Sequence, residues 1–177
     1  MFTMLRGKKI YLRPLTQADL PIFAAWSNDL EYLSEFNSFG LHWSGELTKG
    51  WQEGGLLGAR HGMLAIVTYD EQITGDISYH QQRYGPNEGS IAYNIGIALA
   101  PEYRGKGYGS EAQHLLVEYL FATYPIMRVE ASTDITNLPA QRVLEKAGFT
   151  RDGVMRKAQW RNGDWHDLVV YSKLRGE

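Results

Sequence analysis

Arg104-Gly105-Lys106-Gly107-Tyr108-Gly109-Ser110 is the stretch that most constrains this chain: a basic, glycine-rich turn between an apolar strand, residues 91–99, and an amphipathic helix. The first turn of a helix carries backbone N–H groups with no intrahelical partner, and its aligned peptide dipoles put partial positive charge there. A diphosphate satisfies both. Gly105, Gly107 and Gly109 allow positive φ and a close approach of backbone to phosphate oxygens, while Arg104 and Lys106 add charge and donors. Downstream, Ala112, Leu115, Leu116, Tyr119 and Leu120 recur at three- and four-residue intervals and give the helix one buried stripe.

Two other phosphate loops are excluded. The Walker pattern requires Ser or Thr after Gly105-Lys106, where Gly107 stands. The dinucleotide fingerprint requires a third glycine where Ser110 stands, and no strand and turn precede it in the required form. A second segment adds a constraint. Residues 128–133 alternate as a strand, followed by Asn137-Leu138-Pro139-Ala140, a helix over 141–147, and Gly148-Phe149, with Pro139 suited to a first helical turn and Gly148 to a helix C-terminus.

Arg104-x-x-Gly107-x-Gly109 resembles the coenzyme A pyrophosphate loop of the GNAT-type N-acetyltransferases. Asn137-x-x-Ala140-x-x-x-Leu144-Glu145-Lys146-Ala147-Gly148-Phe149 resembles their second signature, in which the Asn side chain bonds the pantetheine arm. The likeness covers most of the chain. It implies a mixed α/β fold: a central, mostly antiparallel sheet with one splayed parallel strand pair and flanking helices. It also implies acetyl-CoA as co-substrate, lying between residues 90–99 and 128–133, with the backbone of Ile97, Ala98 and Leu99 along the pantetheine and residues 104–110 on the diphosphate. Tyr108 and Ser110 enter this set through the loop. Backbone donors polarise a thioester carbonyl whatever their side chains.

Composition sets the outer bounds. The 177 residues suit one domain with a core that needs no disulfide or metal. Eighteen basic against 20 acidic residues give a net charge of −2, which does not describe a general binder of nucleic acid or of a membrane surface. The absence of Cys removes disulfides, thiolate metal sites and a Cys-linked acyl intermediate, so transfer is expected to be direct. No metal is expected. Residues 1–9 lack a signal-type apolar core and no apolar run approaches the roughly 20 residues of a spanning helix, so a cytoplasmic protein is expected.

Along the chain, residues 10–14 read as a first strand and Thr16-x-x-Asp19 as a capping box before a helix with Leu20, Phe23, Ala24 and Trp26. Residues 28–62, interrupted by glycines among aromatic clusters, read as short helices and loops forming a lid. Residues 63–69, 73–81 and 90–99 read as central strands, and 154–160 with 165–173 as a hairpin turned by Asn162-Gly163.

A primary amine resembles Lys, with a pKa of about 10.4, so it arrives protonated and a base or water chain must relieve it of a proton. Many members of the family carry Glu where this chain has Asn94. Asparagine accepts no proton and only positions water, which leaves Glu88 and His80 as candidate bases; a solvated loop acid and an ordinary strand histidine explain them as well. Family acids at the positions of Ala140 and Leu144 are also absent. This is tolerable because a thiol of pKa about 8.5 leaves readily as thiolate. For the acceptor, Glu31 and Glu35 beside Phe36 and Trp43 suggest an acidic, aromatic vestibule for a cationic amine, with a solvated helix face beside core aromatics as the alternative. Three functions follow from the resemblance: acetyl transfer to a small-molecule amine, acetylation of a peptide N-terminus, or acyl-CoA sensing without turnover. A homodimer is implied by likeness alone.

Overall fold

The computed structural model describes residues 5–43 and 45–177; Met1 to Met4, part of the segment expected to lack a leader, fall outside this range with Ser44. Eight strands form one sheet: β1 (Leu5–Arg6), β2 (Ile10–Pro14), β3 (His61–Thr68), β4 (Ile73–Arg83), β5 (Ile91–Leu99), β6 (Arg128–Asp134), β7 (Thr150–Arg161) and β8 (Asp164–Leu174). Their spatial order is β1-β2-β3-β4-β5-β6-β8-β7. Every pair is antiparallel except β5 with β6, which are parallel and meet only at Tyr93–Val129 and Asn94–Glu130. Beyond that point β5 stays on β4 while β6 stays on β8, so the two strands diverge and leave a V-shaped gap.

The period-2 pattern of β4 assigns the faces. Ile77 and Tyr79 join Tyr93, Ile95, Ile10, Leu12 and Ile66 in a core covered by α4 (Tyr108–Thr123) and α5 (Leu138–Lys146). The opposite face packs Tyr11, Ala65 and Val67 against α1 (Leu20–Trp26) and against Leu47 and Trp51 of α3 (Glu46–Gly54). Between these two helices in sequence, α2 (Leu30–Asn37) contacts β5. Asp29 caps α2 by accepting from the amides of Glu31 and Tyr32, and Ser34, at φ +57°, breaks it into two short turns.

The expected strands and helices recur with small changes of boundary. The last hairpin is longer than its alternating core suggested, because β7 starts at Thr150 and passes through irregular pairing near Arg151 and between Met155 and Gln159. Its tight turn has Asn162 at φ +53° and Gly163 at φ +81°, the conformation that Asn-Gly favours. Among the described residues, no helix is long and apolar enough to cross a membrane.

Candidate active site

The glycine loop delivers the chain into α4 with its donors bare. Gly107, at φ +87°, is the N-cap residue, Gly105 is at φ +74°, and the first backbone bond of the turn is Glu111 N–H to the Gly107 carbonyl at 3.3 Å. No amide from residue 105 to 110 donates to a described protein acceptor. Gly109 is buried where Val143 of α5 and Ile97 and Leu99 of β5 converge, which brings this helix start against the diverging end of β5.

The basic side chains of the loop do not all face the same way as its amides. Arg104, expected to add donors to a phosphate, instead gives Nε–H to the Leu99 carbonyl (2.9 Å) and one terminal nitrogen to the carbonyls of Glu31 and Tyr32 (2.8 Å each). It ties α2 to the end of β5, and the physical reason is local: α2 is short and broken, so its carbonyls lack intrahelical donors. The Lys106 ammonium lies 5.2 Å from the Tyr103 ring centroid. A cation that sequence reasoning missed is Lys9, whose ammonium reaches the Lys106 carbonyl at 2.9 Å and stands beside Gly107. It arrives because Glu111 accepts the backbone amides of Lys8 and Lys9. Nothing local in the sequence signals a contact spanning 97 residues.

Antiparallel alternation decides which backbone groups of β5 face the gap. Ala100 N–H bonds the Thr74 carbonyl, and a Cβ on Gly75 would run into the Ala98 oxygen, so residues 98 and 100 turn toward β4. Ile97 and Leu99 therefore present their amides to the gap, whereas the Ala98 backbone, expected to do the same, belongs to the β4 ladder. Asn137 caps α5, accepting from Ala140 N–H at 3.3 Å, and gives an amide N–H to the Thr133 hydroxyl at 3.0 Å.

On the face under α2 three cross-strand rows line up. His61, His80 and Asn94 form the first, Met63, Ser78 and Gly96 the second, and Ala65, Asp76 and Ala98 the third. Gly96 is exposed, and a Cβ there would meet the Ser78 hydroxyl at 3.3 Å. The middle row thus ends beside the gap in the small residues Ser78 and Gly96, which leave a depression there with His80 and Asn94 on one flank and Asp76 on the other. Asp76 was not singled out by the sequence. It accepts from the Tyr32 hydroxyl at 2.6 Å, and Tyr32 is buried and stacked on Trp26 with ring centroids 4.5 Å apart. Burial raises the Asp76 carboxyl to about 6, opposed by the Tyr32 hydrogen bond.

Glu88 is not brought to this place. It follows β4, at the end where Arg83 pairs with Ile91, and its exposed carboxylate pairs with Arg83 at 3.3 Å. Five residues of strand, about 16 Å, separate Ile91 from Gly96. The expected vestibule is also divided. Glu31, Glu35 and Trp43 are exposed, whereas the Phe36 ring faces the Arg161 guanidinium at 5.6 Å. Leu144 is buried in the main core and Ala140 sits in the first turn of α5, so neither supplies a proton.

A sheet split at one parallel pair, with a bare helix start at the mouth of the split, is an arrangement suited to receive an anionic group at the strand edge. The acetyltransferase (GNAT) domain model matches residues 9–150, and the chain belongs to that family, as an N-acetyltransferase of GNAT type. The probable N-acetyltransferase YjcK of Bacillus subtilis (strain 168) is 30% identical over 178 residues, with 97% of each chain covered. Among solved structures, the RimL ribosomal L7/L12 alpha-N-protein acetyltransferase in complex with coenzyme A shares the fold at TM-score 0.79 and 20% identity, covering 97% of this chain and 98% of that one. The spermidine N-acetyltransferase of Vibrio cholerae, in complex with CoA and spermine, shares it at TM-score 0.79 and 18% identity, covering 96% and 97%.

Proposed function

We propose that this chain moves an acetyl group from acetyl-CoA to the primary amine of a small molecule by direct attack in a ternary complex. The observation that carries the reading is the run of unpaired amides from Gly105 to Ser110 at the mouth of the β5–β6 gap. The residues present fit the co-substrate. These amides and the Lys9 ammonium suit a diphosphate, the Ile97 and Leu99 amides suit the pantetheine and the thioester carbonyl, and Asn137 stands at the other wall. Bound there, acetyl-CoA supplies an activated acyl carbon with a thiolate leaving group. The protein's contribution is to orient two reactants, removing from the transition state the entropy of bringing them together. Asn94 and His80 border the depression over Gly96, where they hold water and the incoming amine.

A small acceptor is favoured over a peptide because α2 is fastened across the acceptor face at three places. Arg104 holds the Glu31 and Tyr32 carbonyls, Tyr32 holds Asp76, and Arg161 holds the Phe36 carbonyl at 3.0 Å. The relatives' own acceptors, a ribosomal protein N-terminus in one and spermidine in the other, bracket the choice.

Thiol release from acetyl-CoA, measured with polyamines, amino sugars, amino acids and short peptides, tests this reading. Turnover with a free amine is expected; turnover confined to peptides contradicts the small acceptor, and binding without turnover favours a sensor. With a cationic acceptor, Glu31→Gln and Glu35→Gln are each expected to raise the acceptor KM several-fold and leave the acetyl-CoA dissociation constant unchanged. Unaltered acceptor kinetics in both remove these two carboxylates from the acceptor site.

A further inference from the structure

We propose that Asp76 is the proton acceptor for the incoming amine, filling the role left open by Asn94. This rests on the transfer reading above and deepens it.

Position comes first. Asp76 pairs with Ala98 on β5, so Gly96 is its diagonal neighbour on the same face, about 7–8 Å away between Cα atoms. With no side chain on Gly96, that distance leaves room for one amine nitrogen between the carboxylate and the edge of the gap. The acceptor enters over a floor of Ser78 and Gly96 and meets the carboxylate from the side.

Chemical state comes second. Position and partners separate four candidate bases. Glu130, beside Asn94 in the β5–β6 pair, is buried but bonded to the Arg128 guanidinium and to the Tyr84 hydroxyl at 2.6 and 2.8 Å, so its charge is already balanced. Glu88 is exposed, paired with Arg83 and remote. His80 is exposed and has no described hydrogen-bond partner that fixes its ring. Asp76 alone combines a held geometry with an uncompensated charge. The groups around it are the Tyr32 hydroxyl from α2, the uncharged Ala65 of β3 and Ala98 of β5, and, through the Tyr32 carbonyl, the Arg104 guanidinium; Arg13, one strand further along the row, is bonded to Asp19. A half-buried carboxylate whose sole described partner is a neutral hydroxyl draws an ammonium, and its raised proton affinity makes it a better base than an exposed aspartate.

The step balances as follows. The ammonium gives one proton to an Asp76 carboxylate oxygen and becomes a neutral amine. Its nitrogen lone pair forms the C–N bond to the acyl carbon, the C–S bond breaks with its electron pair on sulfur, and the nitrogen's second proton goes to the thiolate. The Asp76 proton then leaves to solvent.

The test uses the full chain, Asp76→Asn and Tyr32→Phe, with acetyl-CoA and the best amine of the panel. Asp76→Asn keeps an oxygen for the Tyr32 hydroxyl, so acetyl-CoA affinity is expected to hold within twofold. Its kcat is expected to fall at least about a hundredfold, and the acidic limb of the pH profile near 6 to vanish. Tyr32→Phe removes a bond that favours the ionised carboxylate, so its acidic limb is expected to move to higher pH. Carboxyl NMR titration of the protein without ligands supplies a readout independent of turnover. A resonance titrating near 6 is expected in the wild type, absent in Asp76→Asn and displaced upward in Tyr32→Phe. Asp76→Asn with wild-type kcat and an intact limb overturns the proposal, as does a higher KM at unchanged kcat, which leaves Asp76 as an anchor for α2. Should Asp76→Asn not bind acetyl-CoA, the Tyr32→Phe limb decides, and an unmoved limb overturns the proposal. A wild-type protein that binds acetyl-CoA yet releases no thiol with any amine sinks the transfer reading itself, and this inference with it.

Discussion

Asp134→Ala is expected to destabilise the protein by about 3–5 kcal/mol, because it leaves a buried guanidinium without its counter-ion. Asp134 and Arg161 form a buried ion pair with both side chains 2% exposed. The same carboxylate accepts from the Thr136 amide at 2.8 Å and hydroxyl at 2.7 Å, and His166 Nδ1 lies 2.9 Å away. Removing it strands Arg161 among neutral acceptors, the carbonyl of Phe36 and the side chain of Gln159. In a chain of this length the melting temperature is expected to fall by about 10 °C. Replacing both partners by apolar residues, Asp134→Leu with Arg161→Met, is expected to cost less than the single change, since no bare charge then remains. A single variant as stable as the wild type contradicts the buried pair.

The same site predicts an acid limit. Burial opposes the ionised form of Asp134, but the Thr136 bonds and the Arg161 guanidinium outweigh it and hold the carboxyl at about 2, below its ordinary 3.8. A carboxyl lowered on folding contributes stability that is complete above 3.8 and is lost as pH falls toward 2. Thermal melts from pH 5 to 2 are expected to show this loss, and Asp134→Ala to show a shallower one. The pair also bears on the active site, since Arg161 and Asn162 hold the Phe36 and Glu35 carbonyls and so fasten the far end of α2.

Gly107→Val is expected to weaken acetyl-CoA binding at least tenfold while leaving the fold intact. Gly107 stands at φ +87° and ψ 0°, where an L-residue costs about 1–2 kcal/mol and a β-branched one more. Relief requires φ to move, and that motion turns the amides of Tyr108, Gly109 and Ser110 away from a common point. Lys9, whose ammonium would lie 3.4 Å from the new Cβ, is displaced as well. Gly153→Val is the control: this residue has no positive φ and open space around its Cβ, so cofactor affinity is expected not to change. Calorimetry on both variants makes the comparison. Equal affinity in both variants detaches the glycine turn from cofactor binding.

What the sequence disclosed depended on range. The turn at 104–110 and the block from Asn137 to Phe149 are local patterns, each a cap and a helix start within ten residues of a strand end, so their chemistry and geometry are written together. Asn94 could be read as a departure from the family because it lies at a fixed offset from that turn. The acceptor side is assembled across distance. Tyr32 meets Asp76 over 44 residues, Arg104 meets α2 over 72, and Arg161 meets Phe36 over 125. No periodicity encodes such pairs, which arise once α2 settles on the sheet. Glu88 misled for a related reason: a loop acid near a site in sequence lies at whichever end of the hairpin the register dictates, and Arg83 opposite Ile91 puts it at the wrong one. The alternation that turns the Ala98 backbone to β4 likewise depends on strand pairing.

The central claim, that the amides from Gly105 to Ser110 grip the diphosphate of acetyl-CoA beside the split strands, is tested most directly by amide NMR during titration with coenzyme A. The largest shifts are expected at residues 105–110, with a second set at Ile97 and Leu99. Saturable binding that leaves those amides unmoved and shifts resonances elsewhere contradicts the account.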